Sequence, residues 1–154
     1  MRQRARNVIP GLRSERGNIM LEFALSCLVL IPLFTGTFQF GYAFFRYNKL
    51  QSAVREGARY AALRTYDSSS ATPSTAFSTA VANMVVYGSP AGGTTPVMRG
   101  LSTSDVHLTV DMGTGTPNTM TVWIGAIDVD VVFTTLHWSG KPSAAFRYMG
   151  RFAP

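Results

Sequence analysis

An uncharged, apolar run from Phe23 to Phe45 is the feature that most constrains this chain of 154 residues. The run has 23 residues, and a helix needs about 20 to cross a bilayer. Aromatic residues crowd its C-terminal end, as in the interfacial belts of membrane proteins: Phe38, Phe40, Tyr42, Phe44, Phe45 and Tyr47. The run therefore predicts a membrane-spanning helix.

Two other interpretations of this run are weaker. A core helix that is apolar on all sides needs surrounding protein, and the rest of the chain is too small to supply it. A secretory signal peptide shares the basic N-terminal region, but its apolar core has about 7–15 residues and ends at a small-residue cleavage site. The longer run has no such site at its end. We therefore expect the helix to remain in the mature chain.

The positions of the charges decide how to interpret the net charge of +6. Residues 1–16 contain five arginines and one glutamate, and residues 46–66 contain five Lys or Arg and one glutamate. Residues 67–154 contain four cations and five aspartates. The basic residues thus flank the apolar run, which does not indicate a nucleic-acid partner. The two flanks carry equal numbers of Lys and Arg residues, so the positive-inside rule barely distinguishes the two orientations. Only Arg13 and Arg16, which lie close to the start of the run, favour a cytoplasmic N-terminus with a periplasmic C-terminal part.

Several motifs accompany the start of the run. Arg16-Gly17 ends a basic leader, Asn18 follows, and Glu22 is the fifth residue after Gly17. On composition alone, Glu22 could simply be a carboxylate at the positive end of a helix dipole. Further along the chain are Pro32, Phe40-Gly41 and the block Gln-Ser-Ala-Val-Arg-Glu-Gly-Ala-Arg-Tyr-Ala-Ala at 51–62.

Together these motifs resemble the TadE family of the Flp/Tad pilus system, over about residues 15–62. The block at 51–62 is similar to the family's Gln…Ala-Arg-Glu-Gly-Ala-Arg pattern, with Val54 where Ala is common. Phe23 stands where fibre-forming Flp pilins usually carry Tyr. The resemblance implies a minor pilin or pseudopilin, and it leaves open whether the protein enters the fibre, caps it or stays in the membrane.

The resemblance also implies a processing site and a set of partners. A prepilin peptidase would cut between Gly17 and Asn18, leaving 154 − 17 = 137 residues. Glu22, beside Phe23, would pair with the new α-amino group of Asn18 on a neighbouring subunit. The implied location is a single span in the bacterial inner membrane. The implied partners are the peptidase, TadE/TadF-like and Flp pilin subunits, the Tad inner-membrane assembly platform and membrane lipid.

Residues 46–64 predict that the helix continues beyond the membrane. Pro32 should kink the membrane part. Small residues form a strip that would let another helix approach closely: Ala53, Gly57, Ala58, Ala61 and Ala62. A glycine inside a helix costs about 0.5–1 kcal/mol, so Gly57 indicates close packing, as in a bundle of pilin-like subunits. A solvated amphipathic stem is the alternative.

The C-terminal region predicts a small α+β fold. A loop at 67–75 precedes a short amphipathic helix with apolar residues at 77, 81, 84 and 85. Alternating residues predict strands at 106–112 and 120–124 and, after a phase slip at Gly125, at 127–133. We expect three antiparallel strands with the short helix on one face. The domains are then a leader (1–17), a transmembrane and stem helix (18–66) and an extracytoplasmic domain (67–154). Residues 137–154 have no assignment.

Catalytic motifs and metal sites are not indicated. His107 and His137 lack companions at metal-ligand spacing, and Asp128 and Asp130 fit the solvated face of a strand better than a calcium site. The one cysteine, Cys27, excludes an internal disulfide and fits a small apolar residue. We therefore expect no enzyme activity and no cofactor. An uncleaved, membrane-anchored periplasmic scaffold or binding protein is the alternative function.

Overall fold

The computed structural model describes the backbone of residues 14–131 and 134–154, and side chains outside 14–16 and 129–134. Most of the predicted leader and the last two residues of the predicted strand at 127–133 lie outside the described residues. The chain divides into two compact units, with the boundary between Phe40 and Gly41.

The described part of the first unit is helical. Helix α1 spans Ser14–Leu63, so residues up to Phe40 belong to the first unit and the remainder to the second. Pro32 lies inside this helix. Proline has no backbone N–H to donate to the preceding turn, which leaves the Leu28 carbonyl without its usual helical donor.

The short helix predicted near Phe77 is confirmed as α2, Thr75–Tyr87, in the second unit. It begins because the Ser74 hydroxyl accepts a hydrogen bond from the Phe77 N–H at 3.1 Å. It ends at Gly88, whose φ of 71° is left-handed and whose N–H donates to the Met84 carbonyl.

The predicted α+β class is confirmed, and so is a three-stranded antiparallel sheet. Strands β1 (Val106–Met112) and β2 (Pro117–Ile124) form the predicted hairpin. The third strand of this sheet is β5 (Ser143–Arg147), in the order β1-β2-β5.

The third predicted strand exists but pairs elsewhere. Strand β3 (Ala126–Val131) pairs with β4 (Thr134–Ser139) in a separate two-stranded sheet. The phase slip at Gly125 marks this change of sheet. Gly125 donates its N–H to the Asp105 carbonyl at 2.8 Å and accepts one from Gly140 at 2.7 Å. The expectation that β3 belongs to the main sheet was therefore wrong.

The core of the second unit lies between α1, α2 and the inner face of the three-stranded sheet. The second part of α1 contributes Leu50 and Val54, and α2 contributes Phe77, Val81 and Val85. The sheet contributes alternate residues of β1 and β2, namely Val110, Met120, Val122 and Ile124. The alternation of buried and exposed residues in these strands is the pattern on which the sequence prediction rested.

Candidate membrane-anchoring and assembly segment

Large apolar side chains are exposed along α1 from residue 19 to residue 45. They are 43–77% exposed to solvent, whereas soluble proteins rarely leave a large contiguous apolar patch uncovered. The residues are Ile19, Met20, Leu21, Phe23, Leu25, Leu28, Val29, Leu30, Ile31, Leu33, Phe34, Phe38, Phe40, Tyr42, Phe44 and Phe45. We call residues 17–45 the apolar segment.

The apolar segment is long enough to cross a membrane. Among the described residues, α1 is the one helix that is both long enough and apolar enough to cross a membrane. Its most apolar part is 0% buried. A core helix of a soluble protein would be mostly buried. The structure therefore favours a single membrane anchor over a core helix.

The predicted processing residues lie at the start of the apolar segment. Gly17, Asn18, Glu22 and Phe23 are all exposed, and Glu22 is the one charged residue in 17–45. A Cβ atom built on Gly17 would meet no atom within 4 Å. The peptide bond between Gly17 and Asn18 lies within α1, near the first described residues.

The small-residue strip is buried in the second unit. Ala53, Ala58 and Ala61 are at most 9% exposed. A Cβ atom on Gly57 would overlap the Val85 Cγ2 methyl of α2 and lie 3.7 Å from the Val81 carbonyl oxygen. The helix that approaches this strip closely is thus α2 of the same chain. Pro32, by contrast, is exposed within the apolar segment.

The sequence did not predict the contacts that the C-terminal tail, residues 148–152, makes with the chain at the end of α1. We call these contacts the clasp. The Met149 N–H donates to the Ala62 carbonyl at 2.9 Å. The Tyr148 hydroxyl lies 3.1 Å from the Arg64 carbonyl and 2.7 Å from the Arg151 carbonyl, and accepts the Tyr66 N–H at 3.0 Å. These contacts satisfy backbone groups that a helix end leaves without partners. The content of Tyr and Phe in residues 146–152 was the one available signal.

The buried residue Tyr66 lies at the centre of the clasp. The Tyr66 ring packs edge-on against Phe77 at 5.3 Å and stacks on Phe152 at 6.4 Å, and its hydroxyl donates to the Ser70 carbonyl at 2.7 Å. Burial raises the pKa of Tyr66 above 10.0, and the nearby Asp67 charge adds to this against a lowering hydrogen bond from Ser68. Burial likewise raises the pKa of Tyr148. Both phenols therefore favour their neutral form in the folded protein.

The described residues include no group of three or more His, Cys, Asp and Glu side chains that could hold a metal ion. Asp128 is exposed, as the strand pattern predicts, but it is not alone. Its carboxylate lies 2.5 Å from His137 Nδ1 across the β3–β4 pairing. Sequence reasoning missed this pair because its members lie nine positions apart on two different strands. The side chain of Asp130 lies outside the described residues.

These features define a class of protein: a small α+β unit with a single apolar N-terminal helix suited to membrane anchoring. The family model described as TadE-like protein matches residues 17–59, which confirms the resemblance that the sequence motifs suggested. The match covers the apolar segment and the beginning of the packed part of α1. No curated protein and no solved structure matches the chain.

Proposed function

We propose that this protein is a TadE-like minor pilin or pseudopilin that takes part in assembly of a Flp/Tad pilus. One observation carries the proposal. The match to TadE-like proteins at 17–59 begins on a helix whose apolar side chains are exposed and which carries one charge, Glu22, between residues 17 and 45. A subunit of this kind has a structural role, and we propose no catalytic one.

The apolar segment is proposed to span the bacterial inner membrane once. The N-terminus would then be cytoplasmic and the α+β part, residues 67–154, periplasmic. Exposed apolar side chains gain about 25 cal/mol per Å² when they leave water, which favours insertion of the whole segment. A bundle of similar helices would be the alternative cover for these side chains.

Processing by a prepilin peptidase is proposed between Gly17 and Asn18. The exposed position of both residues and the empty space around Gly17 favour access to this bond. Cleavage would remove the basic leader, residues 1–17, and leave a mature chain with an anchor-and-stem helix over 18–66. It would also create a positive α-amino group at Asn18, four residues from Glu22.

Glu22 is proposed to pair with the Asn18 α-amino group of a neighbouring subunit. An ionised carboxylate in apolar surroundings is costly, and a partner of opposite charge removes much of that cost. The pair would therefore fix the register of neighbouring helices. The small-residue strip at Ala53, Gly57, Ala58 and Ala61 is buried within the second unit, with α2 against Gly57, so the proposed contact surface between subunits is the apolar segment.

The proposed partners are other TadE/TadF-like and Flp pilin subunits, the prepilin peptidase and the Tad assembly platform. The test is complementation of a host that lacks this protein, with pili counted by electron microscopy. Glu22→Ala and Glu22→Gln should both abolish assembly because both remove the charge, whereas Ser26→Ala, one turn further along the helix, should not. Normal pili with Glu22→Gln would contradict the proposed ion pair.

The same experiment separates the alternative function. If deletion of the protein leaves pili unchanged in number and length, the pilin role is wrong. The chain would then be an uncleaved, membrane-anchored scaffold or binding protein. Glu22 would in that case act only as a carboxylate at the positive end of the helix dipole.

A further inference from the structure

A basic groove lies at the C-terminal end of the apolar segment, within the second unit. It has a volume of about 450 Å³ and is lined by residues of α1, by the loop at 97–100 and by Asp128 of β3. Its cations are Arg46, Lys49 and Arg99, and its aromatic residues are Tyr42 and Phe45. With three cations and one carboxylate, its lining has an excess of positive charge.

The loop that forms one wall of the groove is fixed in place. Met98 and Leu101 are buried in the core on either side of Arg99. The Val97 N–H donates to the Val86 carbonyl of α2 at 2.7 Å. The Arg46 guanidinium donates to the Arg99 carbonyl at 3.2 Å, which ties the loop to α1. The exposed Arg99 side chain is therefore carried by an anchored backbone.

The groove combines the two kinds of side chain found at the level of lipid headgroups. Tyr42 and Phe45 are exposed aromatic residues at the end of the uncharged run, where interfacial belts occur. Arg46 and Lys49 are the first two charged residues after that run, and Arg46 also lies over the Tyr42 ring at 5.8 Å. Clusters of cations at this position favour anionic lipids.

The acid that lines the groove already has a partner. The Asp128 carboxylate lies 2.5 Å from His137 Nδ1. Lys49 and Arg99 are both exposed, and no described acidic side chain forms an ion pair with either. These two side chains are thus the ones suited to contact an added phosphate group.

We infer that this groove binds the phosphate headgroup of an anionic phospholipid, with Lys49 and Arg99 as its main ligands and Tyr42 and Phe45 against the upper acyl chain. The inference rests on the membrane anchoring in the proposed function. It adds a specific lipid contact that would hold the α+β part near the membrane surface.

The test uses the full-length chain, purified in an uncharged detergent. Native mass spectrometry measures its affinity for added phosphatidylglycerol and, separately, for phosphatidylcholine. The double variant Lys49→Gln/Arg99→Gln should bind phosphatidylglycerol about thirtyfold more weakly, at about fivefold for each cation. The matched control is Lys141→Gln/Arg147→Gln, which removes the same charge from exposed positions outside the groove, and it should bind as the wild type does.

Three results would overturn the inference. Equal affinity of the wild type for both lipids would leave the groove without a lipid role and would favour an acidic protein partner. An equal loss in the two double variants would mean that net charge alone attracts the lipid. Displacement of the lipid by millimolar inorganic phosphate would identify a site for free phosphate.

A separate measurement shows which proposal has failed. Extraction of host membranes with alkaline carbonate releases peripheral proteins and retains integral ones. If the wild-type chain is released, the proposed membrane anchor itself is wrong. If it is retained and shows no preference for phosphatidylglycerol, only the lipid inference is wrong.

Discussion

The two parts of helix α1 differ in the exposure of their apolar residues to solvent. Before residue 46, leucines and phenylalanines are exposed, as Leu28 and Phe34 show at 70% and 71%. After residue 49, the apolar residues Leu50 and Val54 are fully buried against α2 and the sheet. The described residues leave the first part uncovered, whereas the second part is covered within its own unit. One helix thus serves both as an anchor and as the spine of a folded unit.

The largest expected effect comes from making the same substitution in each part. Leu50→Ala should lower the free energy of unfolding by about 2–5 kcal/mol because it leaves a cavity in the core. Leu28→Ala should change it by less than about 0.5 kcal/mol because no core contact is lost. Denaturant unfolding of the full chain in detergent, followed by near-ultraviolet circular dichroism, measures both. Equal losses would mean that the two parts share one core.

Substitution of one glycine in each part tests the same comparison, with a smaller expected effect on stability than the leucine substitution in the core. Gly57→Ala should lower the free energy of unfolding by about 1–2 kcal/mol, since overpacking against Val85 outweighs the better helix propensity of alanine. Gly36→Ala should not lower it, because a Cβ there meets nothing within 4 Å and alanine has the better helix propensity. Thermal unfolding in detergent measures the two variants.

Restoring the space should rescue the Gly57 variant. The double variant Gly57→Ala/Val85→Ala should be more stable than the sum of the two single changes predicts, by about 0.5–3 kcal/mol of coupling. Strict additivity would show that Gly57 and Val85 are not in contact. The strip of small residues would then be free to pack against another subunit.

The smallest expected effect concerns the tail that clasps the end of α1. Tyr148→Phe removes a hydroxyl that contacts the Arg64 and Arg151 carbonyls and should cost about 0.5–1.5 kcal/mol at neutral pH. The wild type should also lose stability in alkali. The raised pKa values of Tyr66 and Tyr148 mean that the folded chain holds these protons more tightly than the unfolded chain.

The stabilisation that the two phenols contribute should decrease as the pH rises. The two phenols contribute their stabilisation fully below a pH of about 10, the ordinary tyrosine pKa, and lose it as the pH rises through the raised values. Unfolding midpoints measured from pH 8 upward should fall above that point, and less steeply in Tyr148→Phe. A midpoint that is independent of pH in this range, in both proteins, would contradict the buried environment of the clasp.

Local patterns predicted much of this fold. The uncharged run specified the apolar part of α1, and the spacing of Phe77, Val81 and Val85 specified α2. Period-2 alternation specified β1 and β2, and the slip at Gly125 correctly marked a break. Each of these signals lies within a short stretch of sequence, where periodicity alone reports which face is buried.

The parts that could not be predicted depend on contacts between distant residues. Strand β5 is five residues long, with alanines at 144 and 145, so its alternation is too weak to recognise. The partner of β3 is chosen by tertiary packing. The Tyr148 contacts with Arg64 and Tyr66 cross more than 80 positions of sequence. The same distinction applies to the candidate site. Gly17 and Glu22 lie within one short sequence motif, whereas Lys49 and Arg99 of the groove are far apart in the sequence.

The most direct test of the proposed pilin role is the intact mass and N-terminal sequence of the protein from its host's membrane fraction. Prepilin-type processing predicts a chain that begins at Asn18 and contains 154 − 17 = 137 residues. A chain that still begins at Met1, in a host with an active prepilin peptidase, would contradict the proposed cleavage and favour a permanently anchored scaffold.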